Sequence, residues 1–169
     1  MDGDGEAPAE GIFDRLVEML TAVRADFRVI EHEAEGRSEK ISAIRGNRPD
    51  QAAKAMVLDL RGGGGGRRHV LAVLPGNRKL DFDAVATLFE ARKCGFASPE
   101  TAQTLTGCVM GAVPPFALNP DLAIVVEEDL LANPSLFFNA GRLDRSMELD
   151  TRDWLAAARP RVAKIAARG

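Results

Sequence analysis

The sequence predicts an α+β fold, a mixed and largely antiparallel sheet with helices at its periphery, and three observations carry that prediction. Two apolar runs, "AKAMVLDL" and "HVLAVL", flank the linker "RGGGGGRR" and read as a hairpin with a long flexible tip. In "SPETAQTLTG", Ser98 caps, Pro99 takes the first helical position and Gly107 sits past the end, the marks of a short helix. After Leu118, the strand-like segments "LAIVVEE", "SLFFNAG" and "SMELD" follow one another, with only a short turn near Asn133-Pro134.

From the N-terminus, "MDGDGEAPAEG" is acidic, lacks the basic and apolar regions of a secretory signal, and is expected to be a frayed end over residues 1–10. Ile12 to Arg24 is predicted as the first helix, with Ile12, Leu16, Met19 and Leu20 on one face. "DFRVIEH" alternates and reads as a strand. Ser38 then caps a short helix, Glu39 to Ile44, that Gly46 stops. Pro49 and Asp50 open a further turn that leads into a strand from about Ala55. "PGNRKLDFDAVATLFEARK" is a turn and then a helix, with Asp81 or Asp83 as its cap. Glu127-Glu128-Asp129 reads as a solvated helix start. Thr151 caps a C-terminal helix beginning "RDWLAAA", and Pro160 leads into a basic amphipathic tail. No repeat and no boundary splits the chain, so residues 1–169 are expected to form one domain, long enough to bury roughly two-thirds of its unfolded surface.

Composition removes several function classes. A net charge of −3 gives no global attraction for phosphate and argues against a DNA-binding protein. With eight Phe, one Trp and no Tyr, the chain lacks the rings of a stacking platform for single strands. No apolar run approaches the ~18 residues of a membrane span. Cys94 and Cys108 have no CxxC spacing and no nearby histidine, so they read as reduced structural thiols of a cytoplasmic protein, with no metal site. Gly62 to Gly66 fails as a phosphate loop because no GK[ST] and no helix follow. His32 and His69 have no partners in a recognisable catalytic frame.

What remains is a combination. Lys54 sits among small residues in "QAAKAMV". The loop "TGCVMGAVPPFAL" offers backbone N–H groups from Gly111, Ala112 and Val113, while Pro114 and Pro115 donate none and fix the chain direction. "FFNAGR" sets Asn139, Ala140 and Gly141 at a strand end.

These segments, together with "VLAVLPGNRKLD", "ASPETAQTLTGCVMGAVPPFAL" and "FFNAGRLDRSMEL", resemble the YbaK/ProX family of aminoacyl-tRNA deacylases, the domain also inserted in bacterial prolyl-tRNA synthetases for editing. The resemblance runs from about Ala25 to Asp150 and looks closest to the YeaK-like branch, through "ADFRVIEHEA", "AIRG" and "NAGRLDRS". It implies that family's curved-sheet editing fold and, without a cofactor, hydrolysis of the ester joining a wrong amino acid to the 3′-terminal adenosine of tRNA. The YeaK-like features imply a small amino acid: Ser, Thr, Ala or 2-aminobutyrate. The family lysine matches Lys54, its G-x-x-x-P loop matches Gly111 to Pro115, and its "NAG" strand end matches Asn139 to Gly141. Ala112 departs from several relatives, which carry glycine there. Implied partners are a mischarged tRNA and, further off, an aminoacyl-tRNA synthetase. Two roles stay open for Lys54: anchor for the terminal phosphate or ribose, or a base of lowered pKa. A non-catalytic binding module of the same fold is the alternative from another class.

Overall fold

The structure is a computed structural model that describes residues 11–168; the predicted frayed end, residues 1–10, lies outside them. Helix α1 (Ile12–Ala22) buries Leu16 and Leu20 completely. It stops two residues short of the predicted Arg24, whose φ of 58° turns the chain into β1 (Phe27–Glu31). Helix α2 (Ser38–Arg45) begins at Ser38 itself. Arg37, not Ser38, occupies the cap position, and Gly46 ends the helix at φ 80°.

The larger sheet grows from the predicted hairpin. Strands β2 (Ala53–Arg61) and β3 (Arg68–Pro75) pair antiparallel, with Lys54 opposite Leu74. The glycine tip between them is shaped by contact. Gly63 has φ 76°, and a Cβ there would collide with the Glu90 carbonyl oxygen. Helix α3 (Phe82–Leu88) is capped by Asp81, which accepts from the Ala84 N–H. It ends at Leu88, short of the "EARK" that the sequence reading includes in the helix: Glu90 turns back at φ 56°, and β4 (Lys93–Phe96) pairs with the open edge of β2. That edge takes a strand because its unpaired N–H and C=O groups need partners, a demand that local helical periodicity does not reveal.

Helix α4 (Pro99–Thr106) keeps its Ser98 cap and its Gly107 stop. Strands β5 (Leu122–Glu127) and β8 (Arg161–Ala163) add in parallel, giving the order β4-β2-β3-β5-β8. The basic tail therefore begins as a strand rather than a helix. Strands β6 (Ser135–Arg142) and β7 (Arg145–Asp150) form a second, antiparallel sheet with β1, in the order β1-β7-β6. A bridge between Ala52 and Phe137 joins the two sheets.

Helix α5 (Thr151–Ala158) is capped by Asp150, which accepts from the N–H groups of Arg152 and Asp153. Thr151 is buried instead, its hydroxyl donating to the Asn133 carbonyl at 2.6 Å. Glu127 is likewise buried, not solvated: its carboxylate accepts from the N–H groups of Asp129, Ile165 and Ala166. The main core holds Leu16 and Leu20 of α1, Leu136 and Phe138 of β6, Met147 of β7 and Trp154 of α5. Each such fully buried side chain contributes about 1.5–3 kcal/mol over its exposed state. That core fixes β6, whose Asn139 points the other way, toward the site.

Candidate active site

The loop after α4 is bolted down along its length. Asn139 Nδ2 donates to the Gly111 carbonyl at 2.8 Å, the Gly141 N–H to the Ala112 carbonyl at 2.9 Å, and Trp154 Nε1 to the Pro115 carbonyl at 2.9 Å. Gly111 has φ 89° and lies against Gly36 in the loop between β1 and α2. A Cβ on Gly111 would stand 2.8 Å from Gly36 Cα and 3.0 Å from its carbonyl oxygen. Gly111 therefore requires glycine for the two loops to meet, whereas Gly36 is a tight fit, its Cβ 3.1 Å from Leu143 Cδ2 and 3.3 Å from Gly111 Cα.

Where they meet, a cleft opens with two compartments. The inner one is about 60 Å³, walled by Ile41, Arg45, Ala53, Phe138 and Asn139. The outer one is about 360 Å³ and mostly apolar, walled by Met56, Phe96, Pro99, Cys108 and Met110. Gly36, Ser38, Lys54, Ala55, Gly111 and Val113 line both and form the neck between them.

Lys54 is half-buried on β2. Its ammonium donates to the carbonyl oxygens of Arg78 at 2.8 Å and Gly76 at 3.4 Å. Burial lowers its pKa from the ordinary lysine value; the Glu39 carboxylate opposes that shift and the Lys79 charge adds to it. Cys108, in the outer wall, has its thiol pushed up to about 11 by burial, which leaves it protonated and unsuited to nucleophilic attack at neutral pH.

Residues 32–157 match the family model of the aminoacyl-tRNA editing domain. The chain belongs to that family. It is 41% identical over 152 residues to the multifunctional Ser/Thr-tRNA deacylase ProXp-y of Escherichia coli K12, covering 89% of this chain and 90% of that protein. The counterpart in E. coli O157:H7 matches equally. Two crystal structures share the fold. One is of a hypothetical protein (TM-score 0.80, 22% identity, 90% of this chain and 99% of that one). The other is of a proposed trans-editing enzyme for prolyl-tRNA synthetase (TM-score 0.77, 24% identity, 95% and 100%). The α+β editing-domain fold expected from the sequence is thus the observed one.

Within this editing domain the residues singled out from the sequence divide into wall and support. Lys54, Gly111, Val113 and Asn139 line the cleft. Ala112 lines neither compartment. It is fully buried and its N–H donates to the Val109 carbonyl at 3.0 Å, so the free loop donors narrow to Gly111 and Val113, which have no partner among the described residues. Pro114, Pro115 and Ala140 are buried outside the cleft wall. Gly141, at φ 82°, lets α1 approach: a Cβ there would stand 2.9 Å from Ile12 Cβ.

Asn139 spends its amide on the framework. Nδ2 donates to the Glu35 carbonyl at 3.0 Å as well as to Gly111, and Oδ1 accepts from Ser146 Oγ at 2.9 Å and Arg45 Nη1 at 3.3 Å. Sequence reasoning missed Gly36, Ser38 and Arg45, and also Phe96 and Met110, exposed at 63% and 76% beside the outer compartment. The legible signal for the first three was a pair of glycines bracketing a short helix, "GRSEKISAIRG", directly after a strand.

Proposed function

We propose that the cleft hydrolyses the ester between a small amino acid, Ser or Thr first, and the 3′-terminal adenosine of a free mischarged tRNA. The carrying observation is the neck: Lys54, Gly111 and Val113 stand between a compartment of about 60 Å³ and an apolar one of about 360 Å³. An aminoacyl-adenosine has the same two-part shape, with its reactive carbonyl at the junction.

In this pose the side chain enters the inner compartment, whose volume of about 60 Å³ against about 360 Å³ for the outer one favours small residues. The adenosine rests in the outer one. The Gly111 and Val113 N–H groups, on residues that line the neck, serve as donors for the oxyanion that forms when water attacks. A preorganised donor of this type contributes about 2.7–4 kcal/mol to the barrier. The loop's three clamping hydrogen bonds keep those donors from reorganising. Lys54 anchors the ribose-phosphate end as a compact charge. An ester is already activated, and no histidine lines either compartment, so the substrate's own vicinal 2′-hydroxyl is the nearest proton carrier. The E. coli relative's Ser/Thr specificity supports the choice of amino acid. Such a substrate places the protein in the cytoplasm with the translation machinery, with a synthetase as a second partner.

The test is a panel of one tRNA charged with Ser, Thr, Ala, 2-aminobutyrate or a large residue. Release of the small residues, with the large one retained, is the expected outcome. Binding of charged tRNA without release of any amino acid would instead mark a non-catalytic module.

A further inference from the structure

The inner compartment contains a second cation besides Lys54. Arg45, the last residue of α2, lines it with its side chain largely withdrawn from water, and burial holds its pKa down to about 10. All of its hydrogen-bond partners are neutral. Nε donates to Asn47 Oδ1 at 3.0 Å, and Nη1 donates to Ser146 Oγ at 3.2 Å and Asn139 Oδ1 at 3.3 Å. Among the described residues Arg45 has no ion pair, and Nη2 donates to no protein group. A withdrawn guanidinium without a counter-ion is costly, and a neutral donor would orient Asn139 as well. That cost is offset when an acceptor enters the compartment and meets the charge.

We propose that Arg45 Nη2 donates to the β-hydroxyl of the aminoacyl side chain and is the residue that makes this site prefer Ser and Thr over alkyl side chains of equal size. This rests on the deacylase reading of the cleft. Three features favour a hydroxyl over other acceptors. The small volume of about 60 Å³ suits a short side chain that ends in one oxygen. The substrate's α-ammonium is repelled by Arg45 and Lys54, which turns the oxygen-bearing side chain toward the guanidinium. Apart from Ser38 at the neck, the remaining inner wall gives a hydroxyl little else: Ile41, Ala53 and Phe138 are apolar, and both Asn139 Nδ2 hydrogens are spent on the Glu35 and Gly111 carbonyls. An alkyl side chain would strip water from Nη2 and offer nothing in return, the arrangement by which a site rejects an analogue lacking a hydroxyl.

Serine and 2-aminobutyrate differ only in hydroxyl against methyl, so the experiment compares kcat/KM for seryl- and 2-aminobutyryl-tRNA on one tRNA. The wild-type protein is expected to favour seryl by roughly 10–100-fold. Arg45→Met, which keeps an unbranched stem and deletes the donors, is expected to bring the ratio near unity while 2-aminobutyryl release persists. Arg45→Lys, a second variant should the first fold poorly, is expected to fall between. A seryl preference unchanged in both variants would overturn the proposal and leave Arg45 a brace for Asn139. A wild-type protein inert to both esters would overturn the deacylase reading instead.

Discussion

Asn139 Nδ2 donates to the Gly111 carbonyl across 2.8 Å, and the planar peptide bond carries that constraint to the next N–H, which Ala112 donates to Val109. The same nitrogen holds the Glu35 carbonyl at 3.0 Å, so one amide registers the two loops whose glycines touch. Asn139→Ala would leave both carbonyls without their donor, costing about 1–3 kcal/mol of stability. It would also leave the Gly111–Ala112 peptide held only by the Ala112 N–H to Val109, loosening the adjoining peptides that carry the Gly111 and Val113 N–H groups. Single-turnover deacylation is expected to slow at least ~10-fold with substrate binding little changed, as when a preorganised donor is lost. Asn139→Asp should be worse, because an acceptor would then face two carbonyls.

Lys54 gives a prediction with a sign. Burial depresses its pKa, so the unfolded chain keeps the proton to higher pH than the folded one. Stability contributed by this group therefore rises with pH between the lowered folded value and the ordinary lysine value. Activity runs the other way if the ammonium anchors substrate: corrected for spontaneous ester hydrolysis, kcat/KM should fall as pH climbs through the lowered pKa. A rise over that range would assign Lys54 the role of base. Lys54→Met should remove at least ~100-fold of the activity, as expected for a charge-assisted contact at the reacting ester, while circular dichroism and Tm hold or improve.

Gly111 and Gly36 should respond unequally to a methyl group. Gly111→Ala forces a side chain onto φ 89° and drives it to 2.8 Å from backbone, a loss of about 1–3 kcal/mol together with displacement of the oxyanion donors. Gly36→Ala meets Leu143 Cδ2 at 3.1 Å and Gly111 Cα at 3.3 Å, contacts that a flexible leucine can partly relieve. Thermal melts paired with deacylation rates should rank Gly111→Ala well below Gly36→Ala, and equal losses would count against the tight loop contact.

The outer compartment is tested by Phe96 and Met110. Phe96 stands edge-on to Phe82 with ring centroids 5.1 Å apart, leaving a face open beside the cleft. Base stacking on such a ring is worth about 1–3 kcal/mol. Phe96→Ala and Met110→Ala are expected to raise KM for charged tRNA several-fold while kcat under saturating substrate stays close to wild type. A fall in kcat alone would place the adenosine elsewhere.

Much of this was legible in the sequence because it was local. The Ser98 cap with Pro99, the glycine stops at Gly46 and Gly107, and the β2–β3 hairpin each depend on neighbours a few residues away. The elements misread depend on distant partners. Lys93 ends the helix predicted from "DFDAVATLFEARK", yet Lys93–Phe96 is a strand because β2 offers an open edge. Thr151 looks like a cap and yields that place to Asp150 because its hydroxyl reaches Asn133. The site divides in the same way: Lys54 and Gly111 carry recognisable motifs, whereas Arg45 enters only through the packing of α2 against β6 and β7. Ala112 seemed a donor because a loop sequence does not say which N–H its own turn consumes.

Glu127 shows the same dependence on distance, and its prediction concerns stability alone. Its carboxylate accepts the N–H groups of Asp129 at 2.9 Å and of Ile165 and Ala166 at 2.9 Å each, tying β5 to the segment after β8. Ile165 is fully buried, so losing the tie exposes core as well as orphaning amides. Glu127→Ala should cost on the order of 3 kcal/mol, lowering Tm by about 6–12 °C for a chain of this size. Glu127→Gln, which keeps one acceptor but turns an NH₂ toward donors, should lie between. Neither compartment includes Glu127, so deacylation per folded molecule should be unchanged at low temperature. Trypsin gives an independent readout: Arg161 and Lys164 lie just before the released segment, and Glu127→Ala should be nicked there first. Cleavage at wild-type rates with an unshifted Tm would mean that the carboxylate does not hold the C-terminal strand in place.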